Sequence, residues 1–218
     1  LVDCVGYLVE GAMGHLEDSS PRMVNTPWFE ERIPFEEAAE IGTREVITDH
    51  STIGLVVTTD GSITDLPRRS YIEAEERVIK ELKELEKPFI ILLNSAKPGA
   101  QETIELREAL ETKYSTPVII VDALKMEISD LEGILGKILF EFPAREINFH
   151  LPRWMDTLEL EHWLKKDIVD SIRSNISEVN RIRDIGDAIG RFDGAENLQG
   201  IEISDMRLGE GVVNITME

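Results

Sequence analysis

Three short runs of aliphatic and β-branched residues constrain this chain more than any other feature: Ile53-Gly54-Leu55-Val56-Val57, Phe89-Ile90-Ile91-Leu92-Leu93 and Val118-Ile119-Ile120-Val121. None alternates with polar residues, so each reads as a strand buried on both faces of a parallel sheet. Each is followed by loop residues and then by a helical period. Residues 69–87 place Ile72, Val78, Ile79, Leu82 and Leu85 on one face, and residues 101–114 space Leu106, Leu110 and Tyr114 four apart. After the third run, Ser129-Asp130-Leu131-Glu132 reads as a capping box opening a helix with Leu131, Leu135, Ile138 and Phe142 on its apolar side. Three consecutive strand–helix units predict an α/β layered sheet with right-handed crossovers.

The pattern weakens between Gly11 and Asp49, where Pro21, Pro27 and Pro34 alternate with acidic clusters. This stretch reads as a long ordered insertion closing on a short helix over 37–48, and connections of that length are usually functional. Beyond Pro143 the character changes. A short segment bracketed by Pro143 and Pro152 leads into a predicted long amphipathic helix over 156–184, striped by Leu160, Leu164, Ile168, Ile172, Ile176 and Val179. The stripe reads as intradomain core, with an assembly surface as the other reading. A hairpin around Gly209-Glu210-Gly211 is expected at 201–217. The resulting organisation is one domain over 1–146 and the start of a second over 147–218. The chain opens on Leu1-Val2, read as the tail of a strand, and stops within an alternating run, so it is expected to be an internal piece of a longer protein.

Charge limits the partners. Asp and Glu outnumber Lys and Arg 43 to 23, a formal net charge of -20. Such a surface repels phosphate backbones and anionic lipid headgroups, so neither nucleic acid binding nor direct membrane insertion is expected. The single cysteine, Cys4, excludes an intrachain disulfide and fits a reducing, cytoplasmic setting; it reads as a small buried hydrophobe. His15, His50, His150 and His162 lack ligand spacing, which argues against zinc. The pairs Glu30-Glu31 and Glu36-Glu37 read as solvated loop charge, and Trp154 and Trp163 as packing anchors.

The chemistry-bearing pattern is Asp3-Cys4-Val5-Gly6 near the start, followed by strands ending in Thr58-Thr59-Asp60 and in Asn94-Ser95-Ala96-Lys97. In an open α/β sheet, ligands sit at the carboxyl ends of the strands. A carboxylate there holds the water shell of a magnesium ion, and a glycine three residues on lets a backbone N–H approach a terminal phosphate. Alone, the tetrad also fits an ordinary turn. Thr58, Thr59 and Asp60 either face a nucleotide or form a turn, and Asn94 either lies near the base or ties neighbouring loops together.

Asn94-Ser95-Ala96-Lys97 stands where translation-factor-like GTPases carry Asn-Lys-x-Asp, and Asp122-Ala123-Leu124-Lys125 resembles the place of their Ser-Ala-Lys loop. The aspartate of those proteins accepts two protons from guanine. Lys97 carries only donors, so adenine is the expected base. Longer runs resemble the stage IV sporulation protein A family, an ATP-hydrolysing offshoot of that class of P-loop NTPases. They include residues 1–7, Pro21-Arg22-Met23-Val24-Asn25-Thr26-Pro27-Trp28, Glu37-Ala38-Ala39-Glu40-Ile41-Gly42-Thr43-Arg44, His50-Ser51-Thr52-Ile53-Gly54 and Tyr71-Ile72-Glu73-Ala74-Glu75-Glu76-Arg77-Val78-Ile79.

The resemblance implies an α/β fold, a P-loop NTPase-like three-layer sandwich lacking its N-terminal strands and Walker A loop, followed by part of an α+β middle domain. It implies ATP and Mg2+ as cofactors, with Asp3 holding the metal through water and Gly6 sensing the phosphate. Thr58, Thr59, Asn94, Ser95, Lys97, Ala123 and Leu124 would line the nucleotide. It also implies a homopolymer forming the basement layer of the bacterial spore coat, on the mother-cell side of the forespore surface. Its partners would be a small amphipathic membrane-anchoring peptide and other coat proteins. No Gly-x-x-x-x-Gly-Lys-[Ser/Thr] occurs in these residues, so the piece alone is expected to be inactive. A non-catalytic scaffold and a regulatory GTPase are the competing readings.

Overall fold

Backbone hydrogen bonding of the apolar runs builds the sheet that organises the first part of the chain. The structure, a computed structural model, describes residues 2–17, 20–192 and 198–218. It divides into two compact units at Ile134/Leu135, each described by itself.

In the first unit, β1 (Leu16–Glu17) and β2 (Ser20–Pro21) form a short antiparallel pair. A hairpin of β3 (Met23–Thr26) and β4 (Phe29–Pro34) then leads directly into α1 (Phe35–Glu45). The expected insertion is thus largely hairpin, and its helix begins two residues earlier than the periodicity placed it. A π-helical turn, Val46–His50, ends the helix. The Lys87 ammonium donates to the carbonyls of Ile47, Thr48 and Ser51 there, satisfying backbone acceptors left over at the helix end.

The parallel sheet comprises β5 (Gly54–Thr59), β6 (Phe89–Asn94) and β7 (Val118–Val121), with β6 central. A 3-10 turn (Arg68–Tyr71) and α2 (Ile72–Glu84) connect β5 to β6, and α3 (Gln101–Tyr114) connects β6 to β7. The apolar run of β6 is buried on both faces: Phe89, Ile90, Ile91 and Leu93 are 0% exposed. It packs with Ile79 and Leu82 of α2 and with Leu110 and Tyr114 of α3. β5 departs from expectation. Val56 is buried, but Leu55 and Val57, which alternate with it and so point to the opposite face, are exposed, because that face of β5 is left uncovered by the described residues. α2 stops where Glu86 takes a left-handed conformation (φ 53°), and α3 stops at Ser115 (φ 51°).

α4 (Ile128–Phe140) carries the division between the units. Its opening carboxylate is Asp130, which accepts from the Glu127 N–H. Its buried face holds Ile134 and Ile138, whereas Leu131 and Leu135 are exposed, a register shifted from the predicted stripe.

In the second unit, β8 (Glu146–His150) pairs in parallel with β10 (Val212–Met217), and β9 (Ile201–Arg207) pairs antiparallel with β10. The hairpin falls where the sequence placed it; β8, bounded by Pro143 and Pro152, is an added partner. The predicted long helix is instead a 3-10 turn (Arg153–Thr157), α5 (Trp163–Ile176) and α6 (Asp184–Gly190). His162 caps α5 through its ring Nδ1, which accepts from the Leu164 N–H at 3.3 Å. The break arises because residues 180–183 run against 140–144: Ile182 N–H donates to the Phe142 carbonyl and Arg183 N–H to Phe140, each at 3.0 Å. Of the predicted stripe, Ile168 is buried and Leu164, Ile172 and Val179 pack against this unit's core, while Leu160 is 79% exposed. Trp154 and Trp163 are more than half exposed and are not the packing anchors the sequence promised; Met155 is buried in that core instead. Among the described residues no helix is long and apolar enough to cross a membrane.

Candidate functional site

The carboxyl ends of β5 and β6 are joined by one carboxylate. Asp60 follows the last residue of β5, and its Oδ1 accepts from the Ser62 backbone N–H (2.9 Å) and hydroxyl (2.5 Å). Its Oδ2 accepts from the hydroxyls of Ser95 (2.5 Å) and Thr103 (3.1 Å), so the loop after β5, the end of β6 and the first turn of α3 share one acceptor. Ser62 extends the link by accepting the Ala96 N–H at 2.9 Å. Burial pushes the Asp60 carboxyl upward, but the hydrogen bonds from Ser62, Ser95 and Thr103 outweigh it and hold it below the ordinary aspartate value. The charged form is therefore built into the loop cluster. Gly61 completes the turn at φ +89°, and a Cβ there would lie 2.7 Å from the Arg68 backbone nitrogen.

β7 is brought to the same end by Asn94, whose side-chain oxygen accepts the Ala123 N–H at 3.0 Å. Asn94 thus ties the β6 and β7 loops together. Asp122 accepts from the Lys125 ammonium at 2.7 Å and from the Leu124 N–H at 3.2 Å, and the lysine contact holds its carboxyl below the ordinary range. Leu124 itself is 93% exposed, an apolar side chain standing free beside exposed Ala123. Lys97 is also exposed, and its backbone N–H donates to the Ser95 hydroxyl at 3.0 Å.

Asp3 and Gly6 lie elsewhere in the first unit. Residues 2–9 form no strand, and Leu1 lies outside the described residues, so the expected strand tail is not seen. Asp3 and Gly6 line a cavity of about 420 Å3 that also includes Thr58 and the exposed edge of β5. Gly6 has φ +80°, with open space where a Cβ would stand; it needs glycine for conformation rather than for room. Cys4 is exposed and unpaired, contrary to its reading as a buried hydrophobe, because the segment lies outside the sheet.

The sequence-predicted residues thus fall into two groups: Asp3, Gly6 and Thr58 at one cavity, and Asn94, Ser95, Lys97, Ala123 and Leu124 around the β6 and β7 loops. The side chains of Thr58, Thr59 and Ser95 face inward. The Thr59 hydroxyl accepts the Gly61 N–H at 3.1 Å, and Ser95 is 0% exposed. The Thr58 hydroxyl donates to Glu75 at 2.6 Å and accepts from Arg68 at 3.0 Å. Glu75, 5% exposed, also accepts from Arg68 and from the Tyr114 hydroxyl, both at 2.8 Å. Burial first, then the Glu75 hydrogen bond, push the Tyr114 hydroxyl up to about 12. Glu75 and Arg68 were missed as partners of this strand end; a glutamate inside an apolar helix stripe was the available signal.

The donor set suits a nucleotide in part. An exposed apolar side chain beside a positioned loop fits a base, and one carboxylate fits a magnesium ion that keeps most of its water. Among the described residues no three His, Cys, Asp or Glu side chains converge on a possible metal position.

Comparison with known proteins places these features in a family. Residues 1–143 match the stage IV sporulation protein A ATPase-domain model, and residues 144–218 match the model of the middle domain. The chain is 48% identical over 218 residues to stage IV sporulation protein A of Clostridioides difficile (strain 630), covering 100% of this chain and 44% of that protein. It is 48% identical over 217 residues to the same protein of Bacillus subtilis (strain 168) and 45% identical to that of Bacillus anthracis, again spanning 44% of each. The chain therefore spans less than half the length of these relatives. No solved structure matches it. By both its ATPase-domain and its middle-domain sequence, the chain belongs to the stage IV sporulation protein A family.

Proposed function

We propose that the intact protein hydrolyses ATP in the presence of Mg2+ and uses the cycle to assemble into the basement layer of the spore coat. The observation that carries this reading is the ATPase-domain match over residues 1–143, the part that holds the parallel sheet and its carboxyl-end loops. Asp3 would accept from water on the metal, and the Gly6 N–H would donate to the terminal phosphate. When bound, magnesium supplies charge neutralisation on the phosphates. Leu124 and the aliphatic stem of Lys97 would flank the base. Lysine has no acceptor for the guanine N1–H and amino group, which favours adenine. Asp60 and Asn94 act as positioning residues, the first holding the β5 and β6 loops in register and the second the β6 and β7 loops.

These 218 residues contain no Walker A motif, so alone they would bind nucleotide poorly. The assembled protein would be cytoplasmic, on the mother-cell face of the forespore. It would contact other copies of itself, a small amphipathic membrane-anchoring peptide and other coat proteins.

The test is phosphate release by the intact protein and by its Asp3→Ala variant, with GTP as competitor. A water-mediated metal contact predicts a loss of about 10–100-fold in the variant. Parental activity in Asp3→Ala would overturn the metal assignment. Polymerisation without nucleotide would favour the scaffold reading, which the inward-facing side chains of Thr58, Thr59 and Ser95 support. Full competition by GTP would favour a GTPase.

A further inference from the structure

Tyr7 directly follows Gly6 and differs from the residues before it. It is 9% exposed, whereas Val2 and Val5 are more than half exposed. Its hydroxyl donates to the Glu81 carboxylate of α2, and the Arg77 guanidinium carbon lies 3.9 Å from the centre of its ring. Arg77 is also held by α1. Its two terminal nitrogens donate to the two Glu40 oxygens at 2.6 and 2.9 Å, and its Nε lies 3.5 Å from Glu81. Burial and the Glu81 contact push the Tyr7 hydroxyl far above its ordinary value, so it stays a donor. The hydrogen bond to Glu40 fixes the charge on Arg77.

Three segments distant in sequence therefore meet on one planar cation. A guanidinium that is stacked on one face and bidentate in its plane tolerates little displacement of either partner. On α1, Gly42 lies two residues beyond Glu40, and a Cβ built on it would stand 3.1 Å from the Trp28 ring, so the β3–β4 hairpin rests against this helix. We propose that Tyr7, Arg77 and Glu40 form a positioning link that passes the state of the Asp3–Gly6 segment to α1 and the β3–β4 hairpin. The link rests on the ATP reading above and identifies which parts of the molecule respond to the nucleotide. Tyr7 is the input, Arg77 the pivot and Glu40 the output.

Trp28 is the reporter. The experiment uses the intact protein with every tryptophan except Trp28 replaced by phenylalanine, titrated with a non-hydrolysable ATP analogue and magnesium. Binding is measured separately by calorimetry. The expected result is a Trp28 fluorescence shift in the parent and its loss in Arg77→Gln and in Tyr7→Phe, with the affinity of each unchanged. Tyr7→Phe removes the hydroxyl bond to Glu81 that holds the ring in place over Arg77, untying the input while leaving the Arg77–Glu40 fork, so it covers the case in which Arg77→Gln does not fold. Arg77→Lys keeps the charge but not the fork and is expected to lose the shift as well. Kinetically, kcat is expected to fall while KM holds, because the link acts after binding. A full shift in both Arg77→Gln and Tyr7→Phe, or a parent that binds the analogue while Trp28 stays silent, would overturn the link and leave the ATP reading standing. A parent that binds no analogue would overturn both.

Discussion

At the scale of single residues, Asp60 carries the clearest consequence. It accepts four hydrogen bonds, one of them from the Ser95 hydroxyl, which has no exposure to solvent. Asp60→Ala leaves that donor stranded, a loss of about 1–3 kcal/mol that urea unfolding at neutral pH would read. The pH dependence has a definite sign. A carboxyl held below its ordinary value stabilises the fold above that value and loses its contribution as the pH falls through the depressed one. The gap between parent and variant should therefore be full at neutrality and close in acid, below the ordinary aspartate value of about 3.9. Gly6 makes a second prediction of a different kind. Space is open around it, so Gly6→Ala costs only the left-handed backbone, about 1–2 kcal/mol, and Gly6→Asn less. A loss of Gly6→Ala stability well beyond that range in the same unfolding measurement would mean a contact the geometry does not contain.

Between elements, the corresponding knot is Glu141. It is 1% exposed and is held by Arg181 and by Arg183, the latter 3.0 Å from Oε1 without hydrogen-bond alignment. Burial nevertheless wins, and its carboxyl sits above the ordinary glutamate value despite the two cations. Removing both partners, Arg181→Ala with Arg183→Ala, strands a buried carboxylate and is expected to cost about 3–5 kcal/mol, while Glu141→Gln costs less. A raised carboxyl favours the fold in its protonated form, so the double variant should be less destabilised near the ordinary glutamate value than at neutrality. Chemical unfolding at both pH values checks this. The same knot explains what the sequence hid. Helical periodicity runs on from Leu164 through Val179, but the backbone at 180–183 pairs with 140–144, and no i,i+4 pattern encodes a partner forty residues away. By contrast β6 and α3 were fully legible, since Phe89 to Leu93 are apolar throughout and Gln101 to Tyr114 keep one face. β5 misled because β-branched residues look alike on covered and uncovered faces; Val56 and Val57 differ only in what lies beside them. Around the site, the loop residues after β5, β6 and β7 were legible as strand ends, whereas Asp3 and Gly6, read as closing a strand, lie on none. The role of Asp60 as a shared acceptor, and Glu75 and Arg68 altogether, were not legible, because those roles depend on which loops and helices meet.

For the whole molecule, the balance of charge is the governing quantity. Many of the cations are taken up in ion pairs, as with Arg68, Arg77, Arg107, Lys113, Arg181 and Arg183. Carboxylates such as Glu30, Glu31, Glu36 and Glu37 remain in solvent, within a net charge of -20. Two effects of salt then oppose one another. Screening weakens exposed ion pairs, each worth about 0–1 kcal/mol. It also weakens the mutual repulsion of the excess carboxylates, which is greater in the folded chain than in the expanded unfolded one. The excess is a property of the whole surface and extends over distances that a Debye length of about 30 Å at 0.01 M salt leaves unscreened, shrinking to about 8 Å at 0.15 M. The ion pairs sit at contact distance, where that change matters far less. Repulsion is therefore the larger salt-sensitive quantity, and the urea midpoint at neutral pH should rise as sodium chloride is raised from about 0.01 to about 0.15 M. The rise should shrink as the pH is lowered and carboxylates take up protons, which distinguishes screening of charge from a general salting effect. A midpoint that fell with salt at neutral pH would mean that the paired cations, and not the surplus of anions, set the electrostatic stability of the chain.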